Sequence, residues 1–416
     1  MSGFRFLHAA DLHLDSPLRG LDADPLAPAA AIRNASRLAL GRLVDLALEE
    51  DVAFLLIAGD VYDGDWPDYR TGHFFMNQAA RLTRAGKHVF VIRGNHDAQN
   101  RMTRALRSTD DRLVVFGAEQ AASHVLEDLG VVIHGQSFAE PEETRNLARG
   151  YPGRVEGLLN IGMLHSSVDG RAGHGSYAPC SLDDLRALNY DYLALGHIHT
   201  REVLCEAPWI VFSGNLQGRH PNEPGPKGAT LVTVEAGRIA GVEHRVLDAF
   251  RWARSTVDVS GAETDDVVLA TIHAALAEAL GHADGRPLAV RVVLTGETRL
   301  HEALTRDLAG LRERVVNEAR AIDPSRVWIE AVRLRTTPAV DVDALRERGD
   351  ALALLLRHID ELVAAPPEGL LEGWPVELLS RLGNALPDEH PLRAPEAPAT
   401  LARARDLLLA ALMSAG

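Results

Sequence analysis

Between residues 4 and 199 one local event recurs: a short apolar run stops, and within three residues an Asp, His or Asn follows. Runs at 4–10, 54–58, 88–92, 131–134, 158–164 and 192–195 read as strands, with helical periodicity over 32–50 and 69–85 between the early ones. Such alternation is the signature of an α/β fold. In open α/β sheets the ligand crevice lies outside the carboxyl ends of the strands. The polar clusters that follow five of these strands are therefore expected on one rim, although they span residues 11 to 199.

The five clusters are Asp11-Leu12-His13, Gly59-Asp60-Val61-Tyr62-Asp63, Gly94-Asn95-His96-Asp97, Leu164-His165 and Gly196-His197-Ile198-His199. On an extended segment Asp-x-His and His-x-His each aim both side chains the same way, because the side-chain period of a strand is two. Carboxylate, imidazole and amide oxygen without thiolate suit Mn²⁺, Fe²⁺ or Zn²⁺ rather than a structural zinc. Seven such ligands exceed the needs of one ion with open positions. Shared through a bridging carboxylate, they suit two ions roughly 3.5–4 Å apart. Each cluster alone has an ordinary reading: a strand-end turn for Asp11 and His13, a turn residue for Asp60, a satisfied histidine for His165. Their joint occurrence in this order is what points to chemistry.

That order resembles the calcineurin-like metallophosphoesterases over roughly residues 4–215, with no ligand position missing. Longer strings bring the chain close to the bacterial SbcD exonucleases and especially the related YhaO group: FRFLHAADLHLDSPL at 4–18, LHSSVDG at 164–170, YAPCSLDDL at 177–185 and GNLQGRHPNE at 214–223. The resemblance implies a sandwich of two mixed β-sheets flanked by helices, with a small α+β cap domain and a helical C-terminal tail. By motif, Asp11, His13, Asp60 and His199 would hold a first metal. Asp60 would bridge to a second, completed by Asn95, His165 and His197. Mn²⁺ is the first choice, with Fe²⁺, Zn²⁺ or Mg²⁺ as alternatives. Water activated between the ions would attack phosphorus in line with the leaving oxygen, and the substrate implied is DNA. His96 would face the scissile phosphate, stabilising charge or protonating the leaving oxygen. Asp63 and Asp97 read equally as groups orienting imidazoles and as helix N-caps. Arg219 and His220, in a Gly/Pro-rich loop, are candidates for substrate contact against the default of a solvated loop. Asp15 and Ser16 lie near the rim without an assignable role. His8, His73, His88, His124 and His134 have no motif context and read as packing or surface residues.

At 416 residues the chain exceeds the usual single-core limit, so more than one domain is expected. The division read here is 1–250 for the phosphoesterase domain, 251–338 for a β-α-β-α-β cap that would orient DNA, and 339–416 for a proline-broken helical tail. Strands at 209–212, 229–234 and 239–247 follow one another without helices and suggest an antiparallel second sheet. In the tail, Leu401, Ala404, Leu408 and Leu412 share one helical stripe, which packs on the protein itself or docks a partner.

Net charge is −15, which argues against coating nucleic acid by bulk electrostatics. DNA as substrate therefore follows from the resemblance and not from charge. Lys87 and Lys227 are the only lysines, and no G-x-x-x-x-G-K-[ST] occurs. SbcD-like nucleases work with a coiled-coil ATPase of the SbcC type, so ATP dependence would come from such a partner; homodimerisation is likewise a family expectation. Two cysteines outside any metal-type pair, no bilayer-length apolar run and no secretory apolar region lead to the expectation of a cytoplasmic protein without a membrane segment, at the nucleoid when acting on DNA. The rivals are a superfamily enzyme acting on nucleotides or other small phosphoesters, and a scaffold whose site is vestigial.

Overall fold

The computed structural model describes residues 3–16, 34–63, 69–99, 110–169, 177–339, 347, 351–365, 401 and 404–405. These fall into two compact units, one drawn from 1–254, 278–291 and 323–330, the other from 255–277, 292–322 and 331 onward.

The first unit is a sandwich of two six-stranded sheets. In one, β1 (Phe4–Ala9), β2 (Phe54–Ala58), β3 (His88–Ile92) and β4 (Leu113–Val115) run parallel. In the other, β6 (Val131–Gly135), β7 (Leu159–His165), β8 (Tyr192–Gly196) and β10 (Trp209–Phe212) run parallel, with β5 (Ala122–Leu126) and β9 (Glu202–Glu206) antiparallel at its edges. The near-continuous apolar runs are explained by burial of both faces. Inward, Phe6, Phe54 and Phe90 meet Ile133, Ile161 and Tyr192 between the sheets. Outward, Leu7, Leu55, Ile57 and Val89 pack under α1 (Ala35–Glu49) and α2 (Arg70–Arg84) through Leu40, Leu43 and Leu82. Full burial of each such side chain contributes roughly 1.5–3 kcal/mol.

The late strands depart from the sequence expectation. β11 (Gly228–Glu235) and β12 (Arg238–Val246) do not build a separate antiparallel sheet; they join the first one, in the order β12-β11-β1-β2-β3-β4, with β11 antiparallel to β1. β10 stays in the second sheet, parallel to β8. The physical reason is the edge of β1: left bare, it would present a row of unpaired N–H and C=O groups in the middle of the molecule. Of three strands absent from the sequence reading, β4 is only three residues long, and β5 and β9 are largely unburied.

A third sheet, in the order β13-β14-β15, is formed by β13 (Arg251–Asp258), β14 (Leu288–Thr298) and β15 (Val327–Pro338). After the short helices α3 (Asn95–Gln99) and α4 (Leu182–Ala187) come the connecting helices of this sheet, α5 (Asp265–Gly281), then α6 (His301–Arg306) and α7 (Leu308–Ile322), so the second helical segment of the β-α-β-α-β pattern is interrupted at Asp307. One further helix, α8, spans Ala351–Ala364. Leu408 and Leu412 of the terminal stripe lie outside the described residues, as does most of 339–416.

Candidate metal centre

Five strands, β1, β2, β3, β7 and β8, each deliver a polar residue to the same centre, and the backbone there is unusual. Asp11, His13, Asp15, Asp60 and His197 all have positive φ, between 40° and 99°. Non-glycine residues in this region carry strain and persist only where the surroundings impose it. The imposing contacts are visible: the N–H groups of Asp11, His13 and Leu14 donate to the carbonyls of Gly59, Asp60 and Val61, locking the segment after β1 onto the segment after β2. Asp15 adds a tie to the helices, accepting from Arg37 Nε at 2.7 Å and Thr71 Oγ1 at 2.5 Å. The helix α3 (Asn95–Gln99) starts directly at the rim. Gly94 before it has no room for a side chain: a Cβ there would sit 2.3 Å from Asp60 Oδ1 and 2.8 Å from His165 Nε2.

Three sets of ligand atoms converge among the described residues: Asp11, His13 and His199; His13, Asp60 and His96; and Asp11, Asp60 and His165. His13 Nε2 faces His199 Nε2 at 3.1 Å, and Asp11 Oδ1 lies 4.0 Å from the latter. Asp60 Oδ2 sits between the two halves, 3.8 Å from His13 Nε2 and 3.4 Å from His165 Nε2. Asn95 Oδ1 is 3.1 Å from His165 Nε2.

Hydrogen bonds behind these atoms decide which nitrogens carry lone pairs. His165 Nδ1 donates to the Ala58 carbonyl at 3.0 Å, leaving Nε2 pointed at two oxygen acceptors. His199 Nδ1 donates to Glu223 Oε1 at 2.6 Å, leaving its Nε2 pointed at His13. Converging lone pairs on buried nitrogen and oxygen repel unless a cation or a proton sits among them. The protonation tendencies express the same demand. Burial opposes charge on His165, yet Asp60 and Asp11 outweigh it and lift the imidazole to about 9. Burial favours the neutral form of Asp60, but His165, His13 and His96 hold its carboxyl well below the usual range. Burial pushes Asp11 up and drives His13 down to about 3, so that ring stays neutral and available as a ligand. The donor set fits divalent ions, with Asp60 placed to bridge.

His197 meets the centre through both its backbone and its ring. Its N–H donates to the Asp11 carboxylate, at 3.1 and 3.0 Å, and its ring packs edge-on against His165 and Tyr177 at 5.3 and 5.5 Å. Its nitrogens are not in the three convergent sets. His96 is half-buried, with its N–H on Asp60 Oδ1 and its Nδ1 3.1 Å from Asp63 Oδ1. Burial works against the His96 cation, but the Asp63 contact and the charges of Asp60 and Asp63 leave its pKa raised. Asp63 Oδ1 also lies 3.4 Å from His13 Nδ1, so Asp63 faces two imidazoles.

Asp97 does not orient an imidazole. Its carboxylate accepts from the backbone N–H of Gly94, Val61 and Tyr62 at 3.0–3.2 Å, clamping the two ligand loops together; burial, then the Asp60 charge, pushes it up to about 7. His220 also turns inward on its own loop: Nδ1 accepts from Asn222 N–H at 3.2 Å and Nε2 lies 3.2 Å from Glu223 Oε1. Arg219 reaches the centre, with Nη1 3.6 Å from Asp63 Oδ1. His8 and His134 are fully buried packing residues, bonded respectively to Tyr192 and to Ser123.

One residue of the site escaped the sequence reading. Glu223 accepts from His199, Asn215 Nδ2 and the Arg219 N–H, and behind it Lys227 Nζ donates to the His199 carbonyl. The available signal was its place at the end of GNLQGRHPNE, where an acid closes a loop that returns to the rim.

Comparison with known proteins agrees with this geometry. Residues 4–201 match the family described as calcineurin-like phosphoesterase, and residues 252–337 match the middle domain of metallophosphoesterase YhaO. The chain is 33% identical over 336 residues to the protein named uncharacterized metallophosphoesterase YhaO of Bacillus subtilis, covering 79% of this chain and 82% of that one. It is 26% identical over 219 residues to the DNA double-strand break repair protein Mre11 of Thermoplasma acidophilum, covering 47% and 55%. The protein of the same name in Sulfurisphaera tokodaii is 25% identical over 250 residues, covering 56% and 60%.

Proposed function

The chain belongs to the calcineurin-like metallophosphoesterase family, and from that membership we propose that it is a two-metal phosphodiesterase acting on DNA, the nuclease component of a repair exonuclease complex. The observation that carries this reading is the position of Asp60, whose Oδ2 lies 3.8 Å and 3.4 Å from the Nε2 atoms of His13 and His165, which fall in different convergent sets. A carboxylate so placed serves two cations at once. The named Mre11 relatives support DNA as the substrate.

On this reading Asp11, His13, Asp60 and His199 would hold one ion, and Asp60, Asn95 and His165 with His197 would hold the other; Mn²⁺ suits this oxygen and nitrogen set. When bound, the ions neutralise charge on the phosphoryl group and lower the pKa of water. The remaining work falls to the chain. Ala58 and Glu223 fix the tautomers of His165 and His199 from behind. Asp63 fixes the His96 ring through Nδ1, which turns Nε2 into the nitrogen that meets the substrate and gives a proton to the leaving oxygen. No helix among the described residues is long and apolar enough to cross a membrane. An SbcC-like ATPase is the partner this reading calls for, tested by co-purification and by ATP-stimulated digestion.

The test uses end-labelled linear and closed circular DNA with Mn²⁺, comparing wild type, His96→Ala and Asp60→Ala. Digestion of linear DNA by the wild type, lost in both variants, is expected. Turnover of bis(p-nitrophenyl) phosphate with DNA left intact, even beside the ATPase, would move the function to nucleotides or other small phosphoesters. Neither activity, together with no retained metal, would overturn the enzymatic reading.

A further inference from the structure

Beside the metal ligands lies a fixed positive charge whose hydrogen bonds are not spent. Arg219 sits in the loop after β10, and its side chain is only 21% exposed. Its Nε and Nη1 are buried and have no hydrogen-bond partner among the described residues. The nearest anion is Asp63, at 3.6 Å from Nη1, too far for a hydrogen bond. That carboxylate is already engaged, its Oδ1 lying 3.1 Å from His96 Nδ1 and 3.4 Å from His13 Nδ1. Leaving donors of a buried guanidinium unsatisfied is costly. The loop nonetheless holds the residue in place, since the Arg219 N–H is bonded to Glu223 Oε2 at 2.7 Å. Glu223 in turn grips His199, so the backbone that carries Arg219 is anchored to a metal-facing histidine.

We propose that Arg219 is a substrate-anchoring residue whose guanidinium receives a phosphoryl oxygen of the substrate on the His13–His96 side of the centre. This rests on the phosphodiesterase reading and makes it more specific. A planar guanidinium offers two parallel N–H groups to a phosphoryl oxygen pair and keeps its charge at all working pH values. Its position next to Asp63 places it on the flank of the centre where Asp63 meets His13 and His96. The oxygen belongs either to the scissile phosphate or to the phosphate of the adjoining nucleotide; the chemistry of capture is the same.

The experiment compares Arg219→Ala, Arg219→Gln and Arg219→Lys with wild type in the Mn²⁺-loaded full chain, with Arg149→Ala as a control for removing surface charge. Three readouts are taken: KM and kcat on bis(p-nitrophenyl) phosphate, KM and kcat on a short oligonucleotide, and the Kd of inorganic phosphate by calorimetry. Losing a charge-assisted contact should weaken phosphate binding and kcat/KM by roughly 10- to 100-fold, with partial rescue in Arg219→Lys. Loss on both substrates assigns the scissile phosphate; loss on the oligonucleotide alone assigns the adjoining one. Alanine and glutamine variants within twofold of wild type in all three readouts overturn the proposal. Should Arg219→Ala fail to fold, the polar glutamine and lysine variants decide. A wild type that binds phosphate through Arg219 but turns over no diester would sink the phosphodiesterase reading while leaving the anchor standing.

Discussion

Replacing Glu223 with glutamine tests the hydrogen-bond shell around the centre more sharply than removing a ligand. The carboxylate receives donors on both oxygens: His199 Nδ1 at 2.6 Å on Oε1, and Asn215 Nδ2 at 2.8 Å with the Arg219 N–H at 2.7 Å on Oε2. An ionised carboxylate is acceptor-only, whereas an amide must turn an NH₂ towards one of these sides. If the NH₂ faces Arg219 and Asn215, donors oppose donors, at roughly 1–3 kcal/mol for a buried group left unpaired. If it faces His199, the imidazole proton is forced to Nε2, the nitrogen that faces His13 at 3.1 Å. The first orientation opposes two donors at once, whereas the second is relieved by a tautomer shift of His199, so the second is favoured: the ion on the His13–His199 side then loses a properly prepared ligand, while His165, oriented by Ala58, is untouched. Affinity at one of the two sites should fall by roughly 10- to 100-fold. Mn²⁺ titration calorimetry with chelator competition resolves the two sites, and urea denaturation of the metal-free chain reports the stability change. Two sites weakened equally, or neither weakened, would refute the idea that Glu223 acts through His199.

Further outcomes follow from the same contacts. Asp60→Asn should leave neither ion bound after dialysis, because Oδ2 serves both sides of the centre; elemental analysis showing one ion retained at full occupancy would contradict the bridge. Gly94→Ala should keep its circular dichroism yet lose metal and turnover, since the new methyl meets Asp60 and His165, with roughly 1–3 kcal/mol of overpacking in the native state; normal metal content would count against it. Burial, partly opposed by the Leu195 carbonyl, depresses His8 from 6.5 to about 3. Between those values the unfolded chain binds the proton and the folded chain does not, so this contribution is intact above pH ~6.5 and is lost as pH falls towards 3. His8→Gln should therefore flatten the pH dependence of urea stability between pH 6 and 4, by up to about 1.4 kcal/mol per pH unit; an unchanged slope would rule His8 out as its source.

Much of the rim was legible because its logic is local. Parallel strands buried on both faces read as apolar runs, and each must end where backbone and side chains meet solvent. The polar residue that follows each run is thereby placed at the carboxyl edge, which is why Asp11, Asp60, Asn95 and His165 could be found from spacing. Asp97 was legible as a polar residue beside them, but its role was not. Its three partners are backbone N–H groups, two of them 35 and 36 residues earlier, and no periodicity encodes such a contact. The strand order failed for a related reason. Whether β11 pairs with β1 or starts a sheet of its own is a choice between edges, and edges exist only after the other strands have assembled.

From its residues alone, then, the chain determines a parallel α/β core with an oxygen- and nitrogen-rich rim, since side-chain period and strand length are properties of short segments. Only the tertiary structure decides that Asp60 lies between two imidazoles, that Glu223 sets the tautomer of His199 from 24 residues away, and that Arg219 stands beside them with donors unspent. Those facts depend on distances between segments far apart in sequence, and packing of the two sheets against each other sets those distances.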